Sequence, residues 1–61
     1  MVTDHDIVTA MRTFGGSFIR ALAAAYQAAD APNQQRIKDA FADEWENYAA
    51  IVRLHRERRR A

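Results

Sequence analysis

Asp4-His5-Asp6 puts three metal-ligand side-chain types in a row near the start of a 61-residue chain. Neighbouring residues on a helix point about 100° apart, so the three cannot converge on one ion unless the helix unravels. The cluster reads instead as a capped, solvated helix start. Thr3 is a good N-cap residue, and Asp4 and Asp6 in the first turn favour the positive end of the helix dipole. Asp6, three residues after Thr3, suggests a capping box with aspartate in the usual place of glutamate. His55 shares a helical face with Ile37 and Tyr48 and reads as a histidine at the end of a core, or as one bonding near Val8. Glu44 falls between Phe41 and Tyr48, inside an apolar arc. A buried carboxylate is costly unless paired. Its expected partners are Arg20, a tyrosine hydroxyl or a basic group from another chain, with conformational specificity as its role. No second acid, nucleophile or glycine-rich phosphate loop accompanies it, and Gly15-Gly16 follows no strand. There is no cysteine, which removes thiolate, cysteine–zinc and iron–sulfur chemistry. The expectation is a protein that is not an enzyme, with no catalytic residues, no metal, no cofactor and no small-molecule substrate.

The other charged feature is the arginine run Arg53, Arg56, Arg58, Arg59 and Arg60. Residues 1–50 hold four basic and seven acidic side chains, net −3, whereas residues 51–61 hold five arginines and one glutamate, net +4. Such a run can neutralise phosphates with salt-sensitive, sequence-independent affinity. The competing reading is a solvated helix end that complements the dipole. No aromatics are interleaved with the arginines, so base stacking is not indicated. The acidic stretch Asp39, Asp43, Glu44 and Glu46 would repel DNA. Nucleic-acid binding through Arg53, Arg56, Arg58, Arg59 and Arg60 is therefore the alternative function.

The elements that must carry these groups follow from apolar spacing. Ile7, Met11, Phe14, Phe18, Leu22, Ala25 and Ala29 recur at steps of three and four, and the phase passes over Gly15-Gly16. A second stripe comprises Ile37, Phe41, Trp45, Tyr48 and Val52. The pattern predicts an all-α fold, an antiparallel hairpin with helix A over about 3–29, continuous through the glycines with at most a bend there, and helix B over about 33–56. Asp30-Ala31-Pro32-Asn33 is the turn, with Asp30 or Asn33 as the cap. The whole of 1–61 is one domain, and the basic tail 58–61 is expected to fray. Folding at the turn sets residues whose numbers sum to about 63 side by side. Gly15-Gly16 then face Tyr48 and Asn47, Phe18 faces Trp45, Arg20 faces Asp43, and Asp4 and Asp6 approach Arg56.

A lone hairpin is too little protein. Val8, Ile19 and Tyr26 widen helix A's apolar arc to about half the circumference, beyond the roughly 100° one neighbour needs. Val8, Gly15, Ile19, Tyr26 and Trp45 are thus the expected protein interface. Without disulfides, a chain this short is usually rescued by oligomerisation. A homodimer forming a four-helix bundle is the first expectation, and docking onto a different protein the next. No membrane partner is expected, because no apolar run approaches the roughly 20 residues of a span. The acidic N-terminus does not read as a signal peptide, and the expected location is cytoplasmic.

The segment Phe14-Gly15-Gly16-Ser17-Phe18, then Ala21-Leu22, Ala28-Ala29-Asp30, Asn33, Ile37-Lys38, Ala40-Phe41, Trp45 and Tyr48 resembles a group of short helical proteins encoded by phages and prophages. The resemblance covers roughly residues 7–48. Members of the group usually carry proline directly after the turn aspartate, where this chain has Ala31. The resemblance implies a phage accessory protein acting in the host cytoplasm and imports no activity.

Overall fold

The computed structural model describes residues 1–60, the Arg60 side chain excepted. Its elements are four helices: α1 Asp4–Phe14, α2 Ser17–Ala28, α3 Ala31–Ala40 and α4 Ala42–Arg60. The all-α expectation holds. The two-helix hairpin does not, because each of its long helices is cut in two.

The first cut falls at the double glycine. Gly15 (φ −78°, ψ 156°) and Gly16 (φ −76°, ψ −170°) are both extended, and α1 closes with the Gly15 amide donating to the Met11 carbonyl. Two extended residues reset the helical phase that the apolar stripe appeared to preserve. The buried face of α2 becomes Leu22 and Ala23, flanked by the half-buried Ile19 and Tyr26. Phe18 and Ala25, in the expected stripe, are turned outward. Glycine is required here for room, since neither residue has a positive φ. A Cβ on Gly15 would overlap Ile19 and the Met11 carbonyl oxygen, whereas one on Gly16 would meet nothing.

The second cut falls at Phe41 (φ −120°, ψ 40°), where no glycine or proline announces it. The Phe41 amide still donates to Ile37, closing α3, and its carbonyl accepts from Trp45, opening α4. The turn between α2 and α3 is as the sequence suggests, with the cap resolved. Asp30 Oδ1 accepts from the Asn33 amide at 3.1 Å, and Pro32 sits in the first turn. Helix α3 therefore starts at Ala31, earlier than the expected 33. Gln34 donates its side-chain amide to the Tyr26 carbonyl at 3.0 Å, a second donor to an oxygen that already accepts from the Ala29 amide at 3.2 Å. Helix α4 runs beyond the expected 56, to Arg60. Arginine is a good helix former and suits the negative end of the dipole. Of the tail expected to fray, Ala61 and the Arg60 side chain lie outside the described residues.

The core is made by three of the four helices. Ile7, Val8 and Met11 of α1 pack with Leu22 and Ala23 of α2 and with Trp45 and Ala49 of α4. Helix α3 contributes no fully buried residue and leans Ile37 on the cluster. Asp6 meets Arg56 and Phe14 meets His55. Two positions about 12 Å apart along α1 thus reach the same turn of α4. Helix α1 therefore lies across α4, not along it as a hairpin requires.

Candidate interaction surface

The N-terminal turn of α1 is built as read from the sequence and does more than read. Thr3 accepts from the Asp6 amide at 3.2 Å, and Asp6 accepts from the Thr3 amide at 3.0 Å, completing the capping box. The same Asp6 carboxylate accepts from Arg56 at 2.7 Å, as the folded register suggested. The Thr3 backbone donor, with Arg56 beside it, holds the Asp6 carboxyl below the usual aspartate range. Asp4 does not join Arg56. It accepts from Lys38 Nζ at 2.8 Å and from the indole Nε1 of Trp45 at 3.1 Å. The Lys38 hydrogen bond lowers the Asp4 pKa, and the same bond raises that of Lys38. Asp4 thus ties α1 to α3 and α4 at once and satisfies the one polar atom of the core tryptophan. The sequence carries a signal for this junction. Asp4, Val8 and Met11 fall on one helical face, so Asp4 stands at the core edge where a carboxylate needs a partner.

The expected interface residues lie elsewhere than on a free surface. Val8 is 2% exposed and Trp45 7%, both inside the chain's own core. Ile19 and Tyr26 are half-buried against that core. The Tyr26 ring lies 5.0 Å from that of Trp45, and desolvation raises the Tyr26 pKa. Gly15 is half-buried under Ile19. The reason is the elbow at Gly15-Gly16, which folds α2 back over the α1 face that a straight helix A would have left wet. Gly15 does not face Tyr48 but closes on its own α1–α2 neighbours. Phe18 meets Phe41 (ring centroids 5.8 Å apart) and not Trp45. Arg20 and Asp43 form no ion pair among the described residues. Glu44, in the first turn of α4, is only half-buried. It therefore has no need of the buried partner expected for it.

The large apolar side chains left exposed are Met1, Leu54 and two aromatics. Phe14 is 53% exposed and Phe18 60%, one on each side of the glycine elbow. Phe14 stacks on His55 with centroids 5.0 Å apart, so His55 closes no core and bonds nothing at Val8. Beside this pair, α1 and α4 enclose an open cleft of about 320 Å³, with His5, Phe14, Ile51, His55 and Arg59 on its walls. The cleft's threonines offer no free hydroxyl proton. Thr9 donates to the His5 carbonyl and Thr13 to the Thr9 carbonyl. No group of three metal-ligand side chains exists among the described residues. No family model, curated protein or solved structure matches this chain.

The basic end is divided in its duties. Arg56 is engaged by Asp6 and by the Met1 carbonyl, at 2.7 and 2.8 Å. Arg53, Arg58 and Arg59 are exposed and make no ion pair among the described residues. The Arg60 side chain lies outside them. No described helix is long and apolar enough to cross a membrane.

Proposed function

We propose that this chain is a non-enzymatic helical protein that acts through helix–helix contact, associating with itself and binding a host or phage protein whose activity it modulates. The observation that carries this reading is the pair Phe14 and Phe18, more than half exposed on a chain whose core is already filled by Val8, Met11 and Trp45. A small protein gains nothing for its own stability from such rings in water, and contiguous exposed apolar patches mark interaction sites. The likeness to short phage and prophage proteins suggests the setting, a phage accessory protein in the host cytoplasm. Sedimentation equilibrium across the micromolar range tests self-association, and a stable monomer throughout refutes that half of the reading. Affinity capture from host extract, with nuclease treatment as control, tests the other half.

Three exposed arginines of α4 without an ion pair among the described residues favour a second reading, a nucleic-acid binder acting through Arg53, Arg58 and Arg59, with Arg56 already neutralised by Asp6. Under it, affinity for a labelled oligonucleotide falls steeply with salt, by the release of about one counterion per arginine engaged. Removal of the chain after Val52 abolishes the binding. An affinity indifferent to salt excludes this reading.

A further inference from the structure

We propose that the Phe14–Phe18 face is the seat of a second copy of this chain, docked by a two-fold axis with the α4 helices antiparallel. The inference rests on the self-association proposed above and says where and how it occurs.

Helix α4 changes sign along its length. On the face of α4 that carries Tyr48 and Ile51, the first turn holds Glu44 and the last turns hold the exposed Arg58 and Arg59. None of these three charges is in an ion pair among the described residues. The exposed aromatics flank this face at its two ends, Phe18 against Phe41 just before α4 and Phe14 against His55 late in it. A surface that is acidic at one end, apolar in the middle and basic at the other complements itself when turned by half a revolution. That operation is the two-fold axis of an isologous dimer. The stripe of α4 that emerges beside the elbow has this property residue by residue. Glu44, Tyr48, Ile51 and His55 recur at steps of four, three and four, and the first three are half-buried, left incompletely covered by their own chain. With facing residue numbers summing to about 99, Tyr48 lies opposite Ile51, Glu44 opposite His55, and Phe41 opposite Arg58, a cation over an aromatic face. A parallel arrangement would set Glu44 on Glu44 and Arg59 on Arg59, which repel. An aromatic side chain carries about 150–250 Å² of surface, so half-exposed Phe14 and Phe18 leave roughly 200 Å² per copy to be covered. Added to a stripe three turns long on each copy, this is the beginning of an interface of the size stable dimers use.

The test uses sedimentation equilibrium on the full chain and three variants, with circular dichroism to show that each is folded. Phe14→Ser/Phe18→Ser removes apolar surface flanking the contact at exposed positions and weakens the dimer by about tenfold or more. Glu44→Lys makes both ends of the contact face basic, and Arg58→Glu/Arg59→Glu makes both ends acidic. Each charge variant dimerises poorly alone, and an equimolar mixture of the two recovers a dimer. That recovery is specific to an antiparallel, self-complementary contact. A wild-type chain that stays monomeric overturns self-association and this proposal together. A wild-type dimer unaffected by the double serine variant overturns the surface while leaving self-association intact. Failure of the mixture to recover a dimer overturns the two-fold orientation. Should the double serine variant not fold, the charge variants carry the test.

Discussion

Replacing Asp4 by alanine tests whether one carboxylate anchors three helices. Its two acceptor contacts, to Lys38 at 2.8 Å and to the Trp45 indole at 3.1 Å, are unequal in worth. The ion pair is half in water, with the Lys38 side chain 30% and the Asp4 side chain 41% exposed, so solvent screening limits it to about 0–1 kcal/mol. The indole contact belongs to a tryptophan only 7% exposed. A net hydrogen bond contributes about 0.5–1.5 kcal/mol, and a buried donor left unpaired costs toward the upper end. Asp4→Ala should therefore destabilise the chain by about 1–2 kcal/mol. A chain of this length is expected to have roughly 3–9 kcal/mol in all, so the loss is a large share. Asp4→Asn keeps an oxygen for the indole and gives up only the charge, so its loss should be well under half as large. In urea, with a slope of about 1 kcal/mol per M, the alanine variant should unfold about 1–2 M earlier. The pH dependence has a definite sign. The folded Asp4 pKa lies below the ordinary 3.8, so its contribution is fully present above that value and fades as pH falls through the folded one. Asp4→Asn should flatten that part of the acid limb. If the alanine and asparagine variants unfold at the same urea concentration, the indole bond contributes nothing and the anchoring argument is wrong.

Three further outcomes follow from the same geometry. Gly15→Ala should destabilise by about 1–3 kcal/mol through overlap with Ile19 and the Met11 carbonyl, whereas Gly16→Ala meets open space, and its gain from a stiffer unfolded chain is offset at the α2 N-cap, so it should change stability by less than about 1 kcal/mol; thermal melts that rank the two the other way refute the elbow. Thr3→Ala removes the capping-box oxygen and should cost about 0.5–2 kcal/mol in denaturant unfolding, with no change in cost expected at high salt because the acceptor is uncharged. At the alkaline end, Lys38 is raised above 10.5 and Tyr26 above 10.0, so both favour the folded state below those values and lose that contribution as pH rises through the folded ones. In a Tyr48→Phe background, tyrosinate absorbance should appear at higher pH in the folded chain than in urea, and coincidence of the two titrations would count against the desolvated Tyr26.

Local chemistry was legible wherever a few neighbouring residues suffice. The Thr3–Asp6 capping box, the Asp30 cap with Pro32 in the first turn, and the contact of Asp6 with Arg56 all stand where residue type and spacing put them. The elbow is not legible in the sequence, because apolar residues at steps of three and four fit one straight helix as well as two helices whose buried faces differ. Only the third dimension shows that Phe14 and Phe18 leave the core while Val8, Ala23 and Ala49 enter it. The break at Phe41 had no local signal at all. Its aromatic contact with Phe18 joins residues far apart in the chain.

The amino-acid order alone determined that the chain is helical, where α1 starts and, to within two residues, where α3 starts, and which end is basic, because capping, propensity and charge act within one or two turns. Tertiary structure decided how many helices there are and which aromatics are left in water. Those outcomes depend on whether a chain can fold back on itself at Gly15-Gly16, and that depends on the free space around one Cβ, which no periodicity records.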